Sequence, residues 1–165
     1  MLSANSATVS MGGPVTVPVL IPVEHKSTPA CISNPFMING ECHRVTAMSF
    51  GTPHGAVLVD DVDSVDVSSL GLALGTHALF PKGASIVFIQ AINGKKVKAR
   101  LWQRGEGEIE FSPEAASVAG VAAMMLQKVL RSETFVTMGE HTVHVSWDRG
   151  VGNVSLTGPA DLVQA

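Results

Sequence analysis

Six histidines, two cysteines and a run of four aspartates are the side chains best equipped for chemistry in this 165-residue chain. Asp60, Asp61, Asp63 and Asp66 invite a metal reading, since hard cations want oxygen ligands. Their spacing fits no calcium loop, and the glycine that such a loop needs is missing. Their simpler use is local: Asp66 or Ser64 caps a short helix through Leu70 to Leu74, and the other acids are solvated. No metal site is expected. His141 and His144 fall on a short strand at odd separation, so they face opposite sides. Cys31 and Cys42 make no disulfide framework. Gly105-Glu106-Gly107 is too short for a nucleotide loop, and no serine sits in a nucleophile elbow. Arg104 and Glu108, which flank that turn, are a candidate ion pair. The remaining candidate is the start of the stretch Phe111 to Arg131. Ser112 suits the cap, Pro113 the first helical position and Glu114 the positive end of the dipole. A buried helix N-terminus is a natural anion site.

That stretch is the one strong helix signal, expected from about Pro113 to Arg131, with Lys128 and Arg131 in its last turn. Val118, Val121, Ala122, Met125, Leu126 and Val129 recur at helical spacing, and Ala115, Ala116, Ala119, Gly120 and Ala123 fill most of the other faces. A helix with so little polar surface is enclosed on most sides. Around it the pattern is strand and turn. Asn39-Gly40 predicts a hairpin between Met37-Ile38 and Cys42 to Met48, and Asn93-Gly94 predicts another between Ser85 to Ile92 and Lys95 to Gln103. Ala56 to Val59 is a continuous apolar run that reads as a buried strand. Three short strands follow the helix: Thr134 to Met138, Thr142 to Trp147 and Asn153 to Thr157. Residues 1–7 read as a loose leader and 8–165 as one unit. Pro14, Pro18 and Pro22 make Ala7 to Val23 an edge segment or extended arm. Residues Arg104 to Glu108 read as a loop. The fold class is α+β: a curved, mostly antiparallel sheet around one long central helix.

Composition narrows the partners. Charged residues are 15% and apolar residues 45%, with positive mean hydropathy, so a partner is expected to cover some apolar surface. A formal net charge of −3 gives no reason to expect nucleic acid or an anionic membrane. No apolar run is long enough to span a bilayer. A reduced, cytoplasmic setting is the default.

Trp102-Gln103-Arg104-Gly105-Glu106-Gly107-Glu108 resembles the Trp-Glu-Arg-Gly-x-Gly-Glu motif of diaminopimelate epimerase. Phe50-Gly51-Thr52-Pro53-His54 followed by Val59-Asp60-Asp61-Val62, Phe80-Pro81 ahead of a strand, and the terminal Thr157-Gly158-Pro159-Ala160 match it in order and spacing. The resemblance runs from about residue 8 to 163 and concerns the C-terminal half of that family. It implies one of two pseudo-symmetric lobes, each a curved sheet around a central helix, with substrate held between them. It also implies cofactor-free proton transfer by one cysteine from each lobe.

The departures from the motif are as informative. The family's Cys-Gly-Thr-Gly at the helix start is Ser112-Pro113-Glu114-Ala115 here, so Ser112 stands at the cysteine position. A hydroxyl is a far weaker acid than a thiol near neutral pH. Pro113 has no N–H, and Glu114 puts a negative charge where the family holds the substrate carboxylate. Two such charges about 4 Å apart repel by about 4 kcal/mol at an effective dielectric of 20. Thr52 and Ser85 replace two asparagines, and Gln103 replaces the motif's glutamate. Of the family's residues, His54, Arg104, Gly105, Gly107 and Glu108 remain. The resemblance thus implies catalytic positions Ser112 and His54, and substrate-binding positions Thr52, Ser85, Gln103, Arg104 and Glu114. One reading is a single-lobe relative without the cysteine-based activity that acts through association, as a homodimer or with a separate partner lobe. The alternative is a cofactor-independent isomerase of an amino acid or small acid, its cleft built between two chains. Half of a split gene is a third arrangement.

Overall fold

In the computed structural model, which describes residues 5–24, 30–129 and 132–164, one strand explains the architecture. Ile86, Val87, Phe88 and Ile89 of β5 (Ser85–Asn93) are all fully buried. A strand can be apolar on both faces only when both are covered. Val87 and Ile89 pack into the core around the long helix α2 (Pro113–Met125), while Ile86 and Phe88 pack into a second core on the opposite face.

Among the described residues the sheet has ten strands. In chain order, the others are β1 (Ser6–Gly12), β2 (Asn34–Ile38), β3 (Glu41–Ser49), β4 (Pro53–Leu58), β6 (Lys96–Gln103), β7 (Gly107–Ile109), β8 (Glu133–Met138), β9 (His141–Asp148) and β10 (Asn153–Pro159). Their order is β1-β10-β9-β8-β6-β5-β4-β3-β2, with β7 also on β6. The named ladders are antiparallel except β4–β5 and β6–β8. Both predicted hairpins form. Asn39 and Gly40 have φ 49° and 83°, the doubly positive pair that a tight two-residue hairpin turn requires. The sheet wraps α2, which touches β3, β4, β5, β6, β8, β9 and β10. Every residue from Ala115 to Met124 is buried. This is the expected α+β lobe.

Several boundaries differ from expectation. The helix stops at Met125, short of Arg131; Leu130 and Arg131 lie outside the described residues. Gln127 turns left-handed (φ 60°), Lys128 N–H reaches back to the Ala123 carbonyl and Gln127 N–H to that of Met124. This paired closure ends helices with glycine at the turning residue in most cases, and here no glycine advertised it. Lys128 therefore follows the helix instead of lying in its last turn. Strand β1 begins at Ser6, inside the expected leader, and pairs with β10 at the sheet edge. The Arg104 to Glu108 loop contains the start of a short strand, β7, returning along β6.

The second core rests on α1 (Val67–Gly75) and the segment before β2. Asp66 does cap α1, accepting Ser69 N–H at 3.2 Å, and Asp61 caps a 3-10 turn at Val62–Ser64. Asp63 pairs with Lys98. Trp102 crosses α1 where only glycines, Gly71 and Gly75, leave room. The proline-rich segment is more tied down than an extended arm. Val15 bridges to Ser49, Pro18–Leu20 is a 3-10 turn, and Ile21 and Val23 enter the second core. Val17, Val19 and Leu20 stay exposed. His25, Lys26, Ser27, Thr28 and Pro29, in the expected turn-rich stretch, lie outside the described residues. A small helix, α3 (Ala160–Val163), closes the chain's last turn against β1 and β10. Among the described residues no helix is long and apolar enough to cross a membrane.

Candidate functional site

Four pieces of chain converge at the N-terminus of α2: the β3–β4 turn, the start of β5, the β6–β7 turn and the residues just before the helix. They bound a cavity of about 430 Å³. Its lining includes Thr52, His54, Ser85, Gln103, Arg104, Ser112 and Glu114, so all seven residues singled out from the sequence meet in one place. Pro53, Ile109, Phe111 and Pro113 complete the wall. Ile109 and Phe111 were not singled out as site residues. Their signal was the alternation Ile109-Glu110-Phe111, which puts two apolar side chains on one side of an extended segment.

The helix end is capped in part by its own first residue. Ser112 is extended (φ −149°, ψ 137°), and its Oγ accepts Ala115 N–H at 3.3 Å. Its carbonyl accepts Ala116 N–H at 3.0 Å. Pro113 has no N–H, and its carbonyl accepts the Ser117 hydroxyl at 2.9 Å. Of the four orphan amide positions of a helix start, Pro113 has no N–H and Ala115 is capped, which leaves the N–H groups of Ser112 and Glu114. The Glu114 carboxylate extends to the β3–β4 turn, where Oε2 accepts the Thr52 hydroxyl at 2.8 Å.

His54 is 3% exposed, and its Nδ1 lies 3.0 Å from the Thr52 carbonyl. A carbonyl only accepts, so Nδ1 carries the proton and a neutral ring presents Nε2 as an acceptor. Burial pushes the His54 pKa below 6.5, opposed more weakly by the Thr52 carbonyl and then by the Glu114 charge. Between 6.5 and that lowered value the unfolded chain binds a proton that the folded chain refuses, so stability falls as pH drops through the window and is unaffected above it. Glu114 and Arg104 are the other charged groups on this cavity. Thermal melts at about pH 7.5 and about pH 5.5 should show a larger loss on acidification for the natural chain than for His54→Gln. Equal losses would refute the assignment.

Arg104 and Glu108 do not pair. Glu108 forms a two-pronged bridge with Arg100 (2.9 and 3.0 Å), whose remaining Nη1 holds the Val62 and Val65 carbonyls. Arg104 donates to the Lys82 carbonyl, and its backbone N–H donates to Ser85 Oγ at 3.1 Å. Gln103 donates to Glu106 at 3.0 Å.

Comparison with known proteins places this geometry. The family profile for diaminopimelate epimerase matches residues 46–163. A diaminopimelate epimerase of Desulforapulum autotrophicum is 34% identical over 155 residues, covering 94% of this chain and 54% of that protein. One from Pseudomonas paraeruginosa is 35% identical over 153 residues, covering 93% and 54%. The chain thus spans about half the length of the curated relatives it matches. Among solved structures, a hydroxyproline epimerase from Agrobacterium vitis with bound trans-4-hydroxy-L-proline superposes with a TM-score of 0.66 at 13% identity, over 94% of this chain and 50% of that one. A predicted epimerase from Pseudomonas aeruginosa gives 0.59 at 16%, over 96% and 57%. Those two likenesses are of fold. The profile match over most of the sheet and its central helix, with a third of residues identical to curated relatives, makes this chain a member of the diaminopimelate epimerase family.

Proposed function

We propose that this lobe does not carry out the family's cysteine-based proton transfer and that it works through association. The observation that carries the reading is the start of α2: Ser112 serves as its cap, Pro113 offers no amide and Glu114 puts a carboxylate in the first turn. A serine hydroxyl near neutral pH is a poor proton-transfer group without activation. The purified chain, incubated with diaminopimelate in deuterium oxide, should incorporate no deuterium at the α-carbon above a heat-killed control. Incorporation that disappears on Ser112→Ala would overturn the reading.

The association half rests on exposed apolar surface. Val17, Val19 and Leu20 are 46%, 78% and 67% exposed on one short 3-10 turn and the residue that opens it. Covering even a few hundred Å² of such surface is favourable by several kcal/mol, at ~25 cal/mol per Å². A two-fold homodimer is the commonest way to cover one patch. Light scattering at micromolar concentration should report a dimer mass that falls on dilution; a monomer mass unchanged as concentration rises would rule the homodimer out. Cys31 and Cys42 are unpaired, in keeping with a reducing cytoplasmic setting.

One observation favours a second reading. His54, neutral with Nε2 free to accept, is a base in search of a substrate proton. A cofactor-independent isomerase acting on a small acid, with its cleft completed by a second chain, would use it. Deuterium incorporation abolished by His54→Gln and retained by Ser112→Ala would select that reading.

A further inference from the structure

We propose that Asn93-Gly94 is a site of self-modification: the Gly94 nitrogen displaces ammonia from the Asn93 carboxamide, and water then leaves aspartate or isoaspartate at the tip of the β5–β6 hairpin.

The two Asn-Gly pairs that mark the hairpins are not equivalent in the fold. Asn39 and Gly40 are themselves the loop between Ile38 and Glu41, and both have positive φ. At the second hairpin Asn93 pairs with Lys96, so the dipeptide sits one place earlier and the loop is Gly94-Lys95. The Asn93 side chain is used on that loop: Oδ1 accepts Lys95 N–H at 2.8 Å. The ring closed by this bond is an Asx turn. It runs from Oδ1 through Cγ, Cβ, Cα and the Gly94 nitrogen to Lys95, and so folds Cγ back against that nitrogen. No such bond holds the Asn39 carboxamide among the described residues.

The nucleophile is available, because Gly94 N–H donates to no group among the described residues. Asn93, Gly94 and Lys95 are exposed, and a Cβ on Gly94 would meet no atom within 4 Å, so water reaches the ring. Lys95 N–H already points at the oxygen on which charge grows when Cγ is attacked, an oxyanion donor in place. Lys95 and Lys96 follow directly, and nearby cations favour the amide anion that attacks. After Asn39-Gly40 comes Glu41, of the opposite charge.

The chemistry balances with water as its one co-reactant. The bond from Gly94 N to Cγ forms as the Cγ–Nδ2 bond breaks, and the amide proton leaves with the departing ammonia. Water then opens the five-membered imide. Entry at Cγ gives aspartate; entry at the main-chain carbonyl gives isoaspartate, whose backbone carries one more carbon. Either product puts a carboxylate beside two lysines. The longer one also disturbs a turn whose Lys95 carbonyl holds Phe135 N–H of β8.

The test is incubation of the full chain at mildly alkaline pH, with both sites followed by peptide mass spectrometry as the exchange of NH2 for OH. The Asn93 peptide should convert about tenfold or more faster than the Asn39 peptide, the scale on which a held geometry and a placed donor act. Unfolding in guanidinium chloride removes the Lys95 bond and screens the charges, so the ratio should fall toward one. Gly94→Ala, which the open space around Gly94 and its ordinary φ accommodate, should slow Asn93 and leave Asn39 unchanged. Conversion at Asn39 as fast as at Asn93 in the folded chain, a ratio that survives unfolding, or an Asn93 rate indifferent to Gly94→Ala would each overturn the proposal.

Discussion

Replacing Trp102 with alanine is expected to cost about 3–5 kcal/mol, the range for deleting a large buried aromatic side chain. Its indole fills the seam between β6 and α1 and is 6% exposed. Added Cβ atoms on Gly71 and Gly75 would lie 2.4 Å from its atoms, so neither helix nor ring has slack to close a void. A domain is typically stable by about 5–15 kcal/mol, so one substitution removes a large share. Urea unfolding followed by circular dichroism should show a much lower midpoint with little change in slope. Gly71→Ala should destabilise for the opposite reason, because its methyl meets Trp102 Cβ, close to the backbone, instead of a flexible tip. Combined with Trp102→Ala it should recover part of its own cost, since the two sites share one space. Strict additivity would show that they do not pack against each other.

Gly120→Val should cost about 3 kcal/mol or more, at the upper end of overpacking. A Cβ at Gly120 would sit 2.8 Å from Val145 Cβ on β9. The helix cannot retreat, because strands from β3 round to β10 touch α2. Gly120→Ala sets two effects against each other: up to about 1 kcal/mol gained in helix propensity, and a methyl too close to Val145. The clash wins if the packing is as tight as the distances say, so alanine should also destabilise, though less than valine. A stabilised Gly120→Ala variant would show that β9 can yield.

Much of this fold was legible because its local signals agree with its packing. Asn39-Gly40 supplies the two positive φ angles its turn needs, and Ile86 to Ile89 announces a strand with two covered faces. The alanine-rich surface of α2 announces enclosure. The end of that helix was hidden because Gln127, ordinary in any sequence, adopts a conformation usually left to glycine. The Arg104–Glu108 pair failed on register. In a hairpin, facing residues are fixed by pairing, and Glu108 lies opposite Trp102, two residues along the strand from Arg100 and so on its face and within its reach. The site residues were found through motif order, which carries positions but no hydrogen bonds. That Thr52 donates to Glu114, and that His54 turns Nδ1 to a carbonyl, needed coordinates.

The pairing of β1 with β10 bears on how the chain is made. Thr8 and Thr157 touch through their hydroxyls although 149 residues separate them. At about 5–20 residues per second, a ribosome takes roughly 7–30 s to supply the second partner after the first. For that interval β1 is an unpaired edge, and Val9 and Met11, which pack on the inner core in the finished lobe, have no sheet beneath them. Contacts of such long range also slow the search once the chain is free. Synthesis of this protein therefore includes a period of exposure to aggregation and to chaperones that ends only when Asn153–Pro159 leaves the ribosome.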